Sequence, residues 1–202
     1  MKNIIFDFAG VIAKYDQDEF LDGFNFEPEA RARIKETFSS ETFKFYQMGE
    51  ISRDDYYTLL IFRFPEFRKE FKAIKEADYA SILEPNQELL KYIDLLKSQG
   101  HRVFILSNTT PETADVILKS DYAPLFDGLI FSTDTHILKP DENAYKIPLD
   151  YFKLSPAETI FVDDDKKNVA SAKKLGITGV HFTSTNQAIA EINKQLEQKT
   201  LS

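Results

Sequence analysis

The sequence contains no cysteine, which removes disulfides, thiolate metal sites and cysteine nucleophiles together. Histidine is scarce, and His101, His136 and His181 are too scattered for a zinc-type ligand spacing. No stretch approaches the ~18 to 20 apolar residues of a membrane span. The apolar opening run that follows Lys2 is interrupted by Asp7, and no small-residue cleavage site comes after it. A secretory signal is therefore not expected, and a cytoplasmic location is. Positive charge is not in excess: the formal net charge is -8 and the pI is near 5.0, which argues against a nucleic acid or an anionic membrane as the main partner. Internal repeats and low-complexity tracts are missing as well.

What is present describes an ordinary globular chain of 202 residues, 43% hydrophobic and 29% charged. That length suffices for one core, or for a core carrying a smaller insertion. The second half alternates short apolar runs with helical patterns, the signature of parallel βα units. A helical stripe at Leu89, Tyr92, Ile93 and Leu96 ends before Gly100, and the run HRVFILSN that follows reads as a strand. Thr110 with Pro111 predicts an N-cap and first helical residue, opening a helix to about Lys119. GLIFST reads as a strand, followed by a helix around Glu142 to Phe152 in which Pro148 predicts a kink or early break. ETIFVDD is another strand, Asn168 to Leu175 a short helix closed by Gly176, TGVHF a last strand, and Asn186 to Gln195 a final helix. With NIIF at the start, five strands are expected. Residues 14 to 85 hold most of the 18 Phe and show no strand alternation, which predicts a helical segment with an aromatic core. Charges such as Arg68, Lys69 and Glu70 read as its solvated face.

Asp7 poses the sharpest question. It sits among Ile4, Ile5, Phe6 and Phe8, where a charge costs several kcal/mol unless it is paired or bound to a cation. Placed on the expected strands, Asp7, Ser107 with Asn108, Lys139, and Asp163 to Asp165 all fall at or just past carboxyl ends. That edge of an open parallel sheet is where ligands bind. Taken singly, each has a plain reading: Asp7 as a carboxylate bonded to backbone amides, Ser107, Asn108 and Thr109 as turn and cap residues, Lys139 as a solvated loop lysine. Three adjacent aspartates resist such a reading, because they repel one another without a cation among them.

Together these residues resemble the haloacid dehalogenase superfamily, most of whose members are Mg-dependent phosphatases. The first motif of that family, a strand ending D-x-D-x-[TV], is matched by Asp7, Phe8, Ala9, Gly10 and Val11. The second is matched by Ser107 in VFILSN, the third by Lys139 in LKP, and the fourth by FVDDDKKN. FYQMGEISRDDYYTLL resembles cap sequence from the branch with FDxGxV in its first motif. The resemblance implies a Rossmann-like three-layer α/β core with a parallel sheet, formed by residues 1–13 and 86–202, and an inserted C1-type α-helical cap at 14–85.

It also implies Mg²⁺ held by Asp7, the backbone carbonyl of Ala9, and Asp164, with Asp163 in a supporting or water-mediated place. Asp7 is then the nucleophile that forms an aspartyl phosphate. Lys139 offsets negative charge, Ser107 and Asn108 with local amides bind the phosphoryl group, and Asn168 orients Lys139 or the acidic pair. The expected substrate is a small phosphorylated metabolite, a sugar phosphate first. Ala9 departs from the pattern: the second Asp of this motif protonates the leaving oxygen and activates water, work worth ~10²- to 10⁴-fold. Leaving groups of low pKa would suffer least from its loss.

Three rivals are weighed. A dehalogenase proper needs no cation, and Asp163 to Asp165 argue against it. A response-regulator receiver carries its acidic pair on the first strand and its phosphoacceptor later, the reverse of the order here. A phosphoryl-binding or regulatory protein that lost catalysis with Ala9 stays open until turnover is measured. Among the cap aromatics, the region of Phe45 and Tyr46 is expected to face the crevice.

Overall fold

The computed structural model describes residues 1–77 and 83–197. A five-stranded sheet runs in the order β5-β4-β1-β6-β7, all neighbours parallel: β1 (Asn3–Phe6), β4 (Arg102–Ser107), β5 (Gly128–Phe131), β6 (Thr159–Asp163) and β7 (Thr178–His181). β1 lies at the centre, with Asn3 opposite both Arg102 and Thr159. Its four residues are all buried, as a strand covered on both faces requires.

Side-chain alternation splits the core in two. Ile4 and Phe6 join Val103, Ile105, Ile160 and Val162 beneath α6 (Gln87–Ser98), α7 (Pro111–Leu118) and α11 (Thr185–Glu197). Ile5 joins Phe104, Leu106 and Phe161 beneath α9 (Glu142–Tyr151) and α10 (Lys166–Lys174). The result is the Rossmann-like three-layer α/β architecture expected. Between β1 and α6 stand five α-helices among the described residues: α1 (Gln17–Asp22), α2 (Pro28–Thr37), α3 (Glu41–Gln47), α4 (Arg53–Arg63) and α5 (Arg68–Glu76). They enclose a separate cluster around Tyr46, Tyr56, Tyr57, Leu60 and Phe71, in which Tyr46 and Tyr56 stack at 4.9 Å. Ser52 starts α4 with a reciprocal capping box to Asp55. Arg68 and Lys69 are exposed as predicted, and Glu70 is half-buried.

Several local expectations are corrected. Both connections to the helical insert pair as a short antiparallel ladder, β2 (Ala13–Lys14) with β3 (Glu84–Pro85), too short for any periodicity to announce. GLIFST does not stay extended to its end. β5 stops at Phe131, and Ser132–Thr135 turn into the one-turn helix α8. Pro148 does not end its helix, which runs on to Tyr151. Proline there forfeits one backbone bond in a short helix, while its buried position and the Phe152 amide bond to the Pro148 carbonyl hold the last turn. Thr110 caps α7 with Pro111 at its first position, as the sequence predicts. Among the described residues, no helix is long and apolar enough to cross a membrane.

Candidate active site

The three strand ends bring their polar residues to one edge. Asp7 follows β1 directly, its amide held by the Val162 carbonyl at 2.8 Å. Ser107 ends β4 and Asp163 ends β6. Lys139 reaches in from the loop between α8 and α9 and becomes the centre of the group. Its Nζ lies 2.7 Å from Asp7 Oδ1 and 2.8 Å from Asp163 Oδ2, and it also donates to the Leu106 carbonyl at 2.9 Å. The plain reading of Lys139 as a solvated loop residue is overturned, since its side chain is 1% exposed.

Asp163 is fully enclosed and fully bonded. Asn168 Nδ2 donates to both of its oxygens at 3.1 Å, the Asp165 amide donates to Oδ1 at 2.8 Å, and Lys139 takes Oδ2. Its carboxylate therefore fixes the direction of Lys139. Asp7 differs: Oδ1 accepts from Lys139 and from the Phe8 amide at 2.6 Å, and Oδ2 takes part in neither bond. The third member of the run, Asp165, caps α10 by accepting from the Lys167 amide at 2.7 Å. Asp164 is exposed at the mouth, with its carbonyl 3.0 Å from His181 Nε2.

Oxygens of Asp7, Asp163 and Asp164 lie within 4.8 Å of one another. Three carboxylates thus face one ammonium. Burial pushes the Asp7 carboxyl up to about 7, with Lys139 opposing and Asp163 adding to the rise. Burial also lifts Asp164, again with help from Asp163. For Lys139, burial alone would lower the pKa, and the flanking Asp7 and Asp163 outweigh it and raise it. An all-oxygen donor set with surplus negative charge fits a hard divalent cation such as Mg²⁺. Since Asp163 is committed to Lys139, Asn168 and Asp165, Asp7 and Asp164 are the carboxylates with capacity left. Gly10 keeps the mouth open: its φ is +81°, and a Cβ there would run into the Asp164 carboxylate.

Beside this cluster the predicted phosphate-binding residues separate. The Ser107 hydroxyl, nearly buried, makes only a 3.5 Å contact with the Asn108 carbonyl among the described residues. Asn108, expected to bind phosphate, borders the pocket above the strand ends and also bonds the Lys139 main chain. Nδ2 donates to the Lys139 carbonyl at 2.9 Å, and Oδ1 accepts from the Lys139 amide at 2.8 Å. It clamps the lysine loop in place. Asn168 bonds Asp163 of the acidic run and not Lys139, closer to one of the two alternatives the sequence left open.

Ala9 opens onto a pocket between core and insert. Tyr15, Phe38, Phe43, Tyr46, Tyr57 and Leu83 form its walls. Tyr46 meets the expectation of facing the crevice. Phe45 does not line the pocket and is 48% exposed. The Tyr46 hydroxyl donates to Glu112 at the start of α7, tying insert to core. A second seam runs through the buried Ser132, whose Oγ donates to the Gln47 carbonyl at 2.6 Å and accepts from the Thr109 amide at 3.0 Å. Next to it Gly49, at φ +69°, packs so tightly that a Cβ would lie 2.9 Å from the Thr133 carbonyl. Neither Ser132 nor Phe38, Phe43 and Tyr57 were singled out by the sequence, which offers no signal separating a wall residue from a core residue.

The chain is similar to several known proteins. The sesquiterpene phosphatase astK of Aspergillus oryzae is 28% identical over 199 residues, 96% of this chain and 95% of its own. A D-ribitol-5-phosphate phosphatase of Bacteroides thetaiotaomicron is 28% identical over 195 residues, 87% of this chain and 89% of its own. Among solved structures, a predicted HAD-like family hydrolase from Porphyromonas gingivalis superimposes with a TM-score of 0.78 at 25% identity, covering 98% of each chain. A HAD family enzyme of Bacteroides thetaiotaomicron, solved in complex with magnesium and inorganic phosphate, shares the fold with a TM-score of 0.68 at 22% identity, covering 90% of this chain and 93% of that one. The family model described as haloacid dehalogenase-like hydrolase matches residues 1–176, and the chain belongs to that family.

Proposed function

We propose that the protein is a Mg-dependent phosphatase acting on a small phosphorylated metabolite through Asp7. The observation that carries this reading is the arrangement around Lys139, which pairs with Asp7 and Asp163 while Asp164 stands within reach of both carboxylates. Relatives named as phosphatases support it, among them the D-ribitol-5-phosphate and sesquiterpene enzymes.

Asp7 and Asp164, with the Ala9 carbonyl, would hold the cation. When bound, Mg²⁺ supplies charge neutralisation that lets a carboxylate approach a dianionic ester. Asp7 Oδ2, the oxygen outside the Lys139 and Phe8 bonds, attacks phosphorus. The bond to the leaving oxygen breaks, and the phosphoryl group passes to Asp7. Water then attacks phosphorus, releases inorganic phosphate and restores the carboxylate. Lys139 offsets charge on the transferring group, aimed by Asp163 and by the Asn108 clamp on its main chain, and the Ser107 hydroxyl holds a phosphoryl oxygen. Residues 14–85 act as a cap domain that covers a core made of 1–13 and 86–202. The chain works in the cytoplasm.

Ala9 favours a second reading, a phosphoryl-binding protein with little turnover, because no side chain at that position can protonate the leaving group. Phosphate release from sugar phosphates, nucleotides and an aryl phosphate, with Mg²⁺ and with chelator, decides between them. Release that needs both Mg²⁺ and Asp7 supports the phosphatase. Binding of phosphate analogues without release from any ester supports the alternative.

A further inference from the structure

Building on the phosphatase reading, we propose that the substrate is an aryl phosphate, the monoester of a phenol-type hydroxyl, its ring held by the cap aromatics and its leaving oxygen departing without a proton from the enzyme. Two independent features of the pocket lead there.

The first is what its walls offer. Apart from Ala9, three threonines and the amides Gln47 and Asn108, the space above the strand ends is bounded by Phe38, Phe43, Tyr46, Tyr57, Tyr15 and Leu83, and no charged side chain lines it among the described residues. Several of its polar atoms are already spent within the protein. The Tyr46 hydroxyl is bonded to Glu112, both ends of the Asn108 amide to the Lys139 main chain, and the Thr110 and Thr113 hydroxyls to each other at 3.1 Å. A polyol brought here would bring several hydroxyls to a wall with few partners left for them, and unpaired buried polar groups are what a site rejects most strongly. A planar ring meets the opposite situation. Phe43 already packs edge-on to Phe38 at 5.4 Å and to Tyr46 at 6.2 Å, so another aromatic ring extends an existing cluster.

The second feature is Ala9 itself, which lines the same pocket. In the first step the Asp7 oxygen forms its bond to phosphorus, and the electron pair of the breaking bond leaves on the ester oxygen. With a methyl group at position 9, that oxygen departs as the anion and takes its proton from solvent. An aryloxide, with a conjugate acid near pKa of about 10 as in tyrosine, tolerates this far better than an alkoxide. The aromatic wall and the missing acid therefore select the same class of ester.

The test compares 1-naphthyl phosphate, phenyl phosphate and glucose 6-phosphate in phosphate release with Mg²⁺. Alongside it, calorimetry measures the affinity of the non-hydrolysable 1-naphthylmethylphosphonate against inorganic phosphate. The expected result is kcat/KM for the naphthyl ester ~10- to 100-fold above that for glucose 6-phosphate, and phosphonate affinity at least ~10-fold above phosphate. Phe43→Leu, which keeps the wall apolar but removes the ring face, lowers both preferences several-fold while leaving inorganic phosphate affinity unchanged. Ala9→Asp flattens the dependence of rate on leaving-group pKa across substituted phenyl phosphates. Turnover of glucose 6-phosphate equal to or above the naphthyl ester overturns the substrate class while the phosphatase stands. Tight phosphonate binding with no release from any ester keeps the aromatic ligand class and overturns the phosphatase. Equal affinity for phosphonate and phosphate overturns the pocket assignment.

Discussion

At the floor of the crevice Lys139 touches two carboxylates and a carbonyl, and Asp163 has no free oxygen. At its roof, rings pack on rings, and polar atoms such as the Tyr46 hydroxyl bond to the protein itself. The floor is fixed by directional, charge-assisted bonds that tolerate almost no substitution. The roof is fixed by packing, which accepts other apolar shapes at modest cost. On the proposed function one region performs the reaction and the other chooses what undergoes it, so the two should respond to mutation in different ways.

The largest effect is expected from Asp7→Asn. It removes the proposed nucleophile and should lower phosphate release by ~10⁴-fold or more, with the circular dichroism spectrum unchanged. Turnover near the wild-type rate would end the separation of floor from roof. The same substitution has a second readout. Because the Asp7 carboxyl is raised to about 7 in the fold, its contribution to stability is full below the ordinary value of 3.8 and is lost as pH rises through about 7. In chelator the wild type should therefore lose stability relative to Asp7→Asn between about pH 4 and pH 7, and Mg²⁺ should restore it.

Next in size is Lys139→Met. It strands Asp163 without its cation and is expected to cost about 3 to 5 kcal/mol in urea unfolding as well as most of the activity. Should it lose activity with unchanged stability, the lysine matters to the reaction and not to the fold.

Ala9→Asp is the sharpest probe of the border between floor and roof. Restoring an acid there should speed release from alkyl phosphates by roughly 10-fold or more and leave aryl phosphates little changed. Equal gains on both would detach Ala9 from leaving-group chemistry.

The smallest effect is at the seam. Ser132→Ala leaves the Thr109 amide and the Gln47 carbonyl without their shared hydroxyl and should cost about 1 to 2 kcal/mol, with a KM rise larger than any kcat change. A change confined to kcat would place Ser132 with the floor instead.

The floor was legible in the sequence to a degree the roof was not. Asp7 inside an apolar run and three adjacent aspartates are costly in isolation, so their chemistry shows without coordinates. Asn108 shows the limit, because an amide at a strand end reads equally well as a ligand contact or as a clamp, and its two bonds to the Lys139 main chain appear only in the fold. Phe43 and Phe45 are indistinguishable as letters, yet one lines the pocket and the other faces solvent.

By itself, then, the sequence determined the five strands of the central sheet, the approximate limits of five core helices, the order of the acidic and basic groups, and the alanine at position 9. The strands, helices and buried charges follow from local periodicity, capping chemistry or the cost of burying charge, and the missing acid at Ala9 follows from the family resemblance. Tertiary structure alone decided that Asp163 serves Lys139, that Asp165 caps a helix while Asp164 faces the mouth, that two short strands clamp the insert, and which rings form the roof. Those outcomes depend on residues far apart in the chain meeting in one orientation, and no local pattern encodes the direction in which a side chain finds its partner.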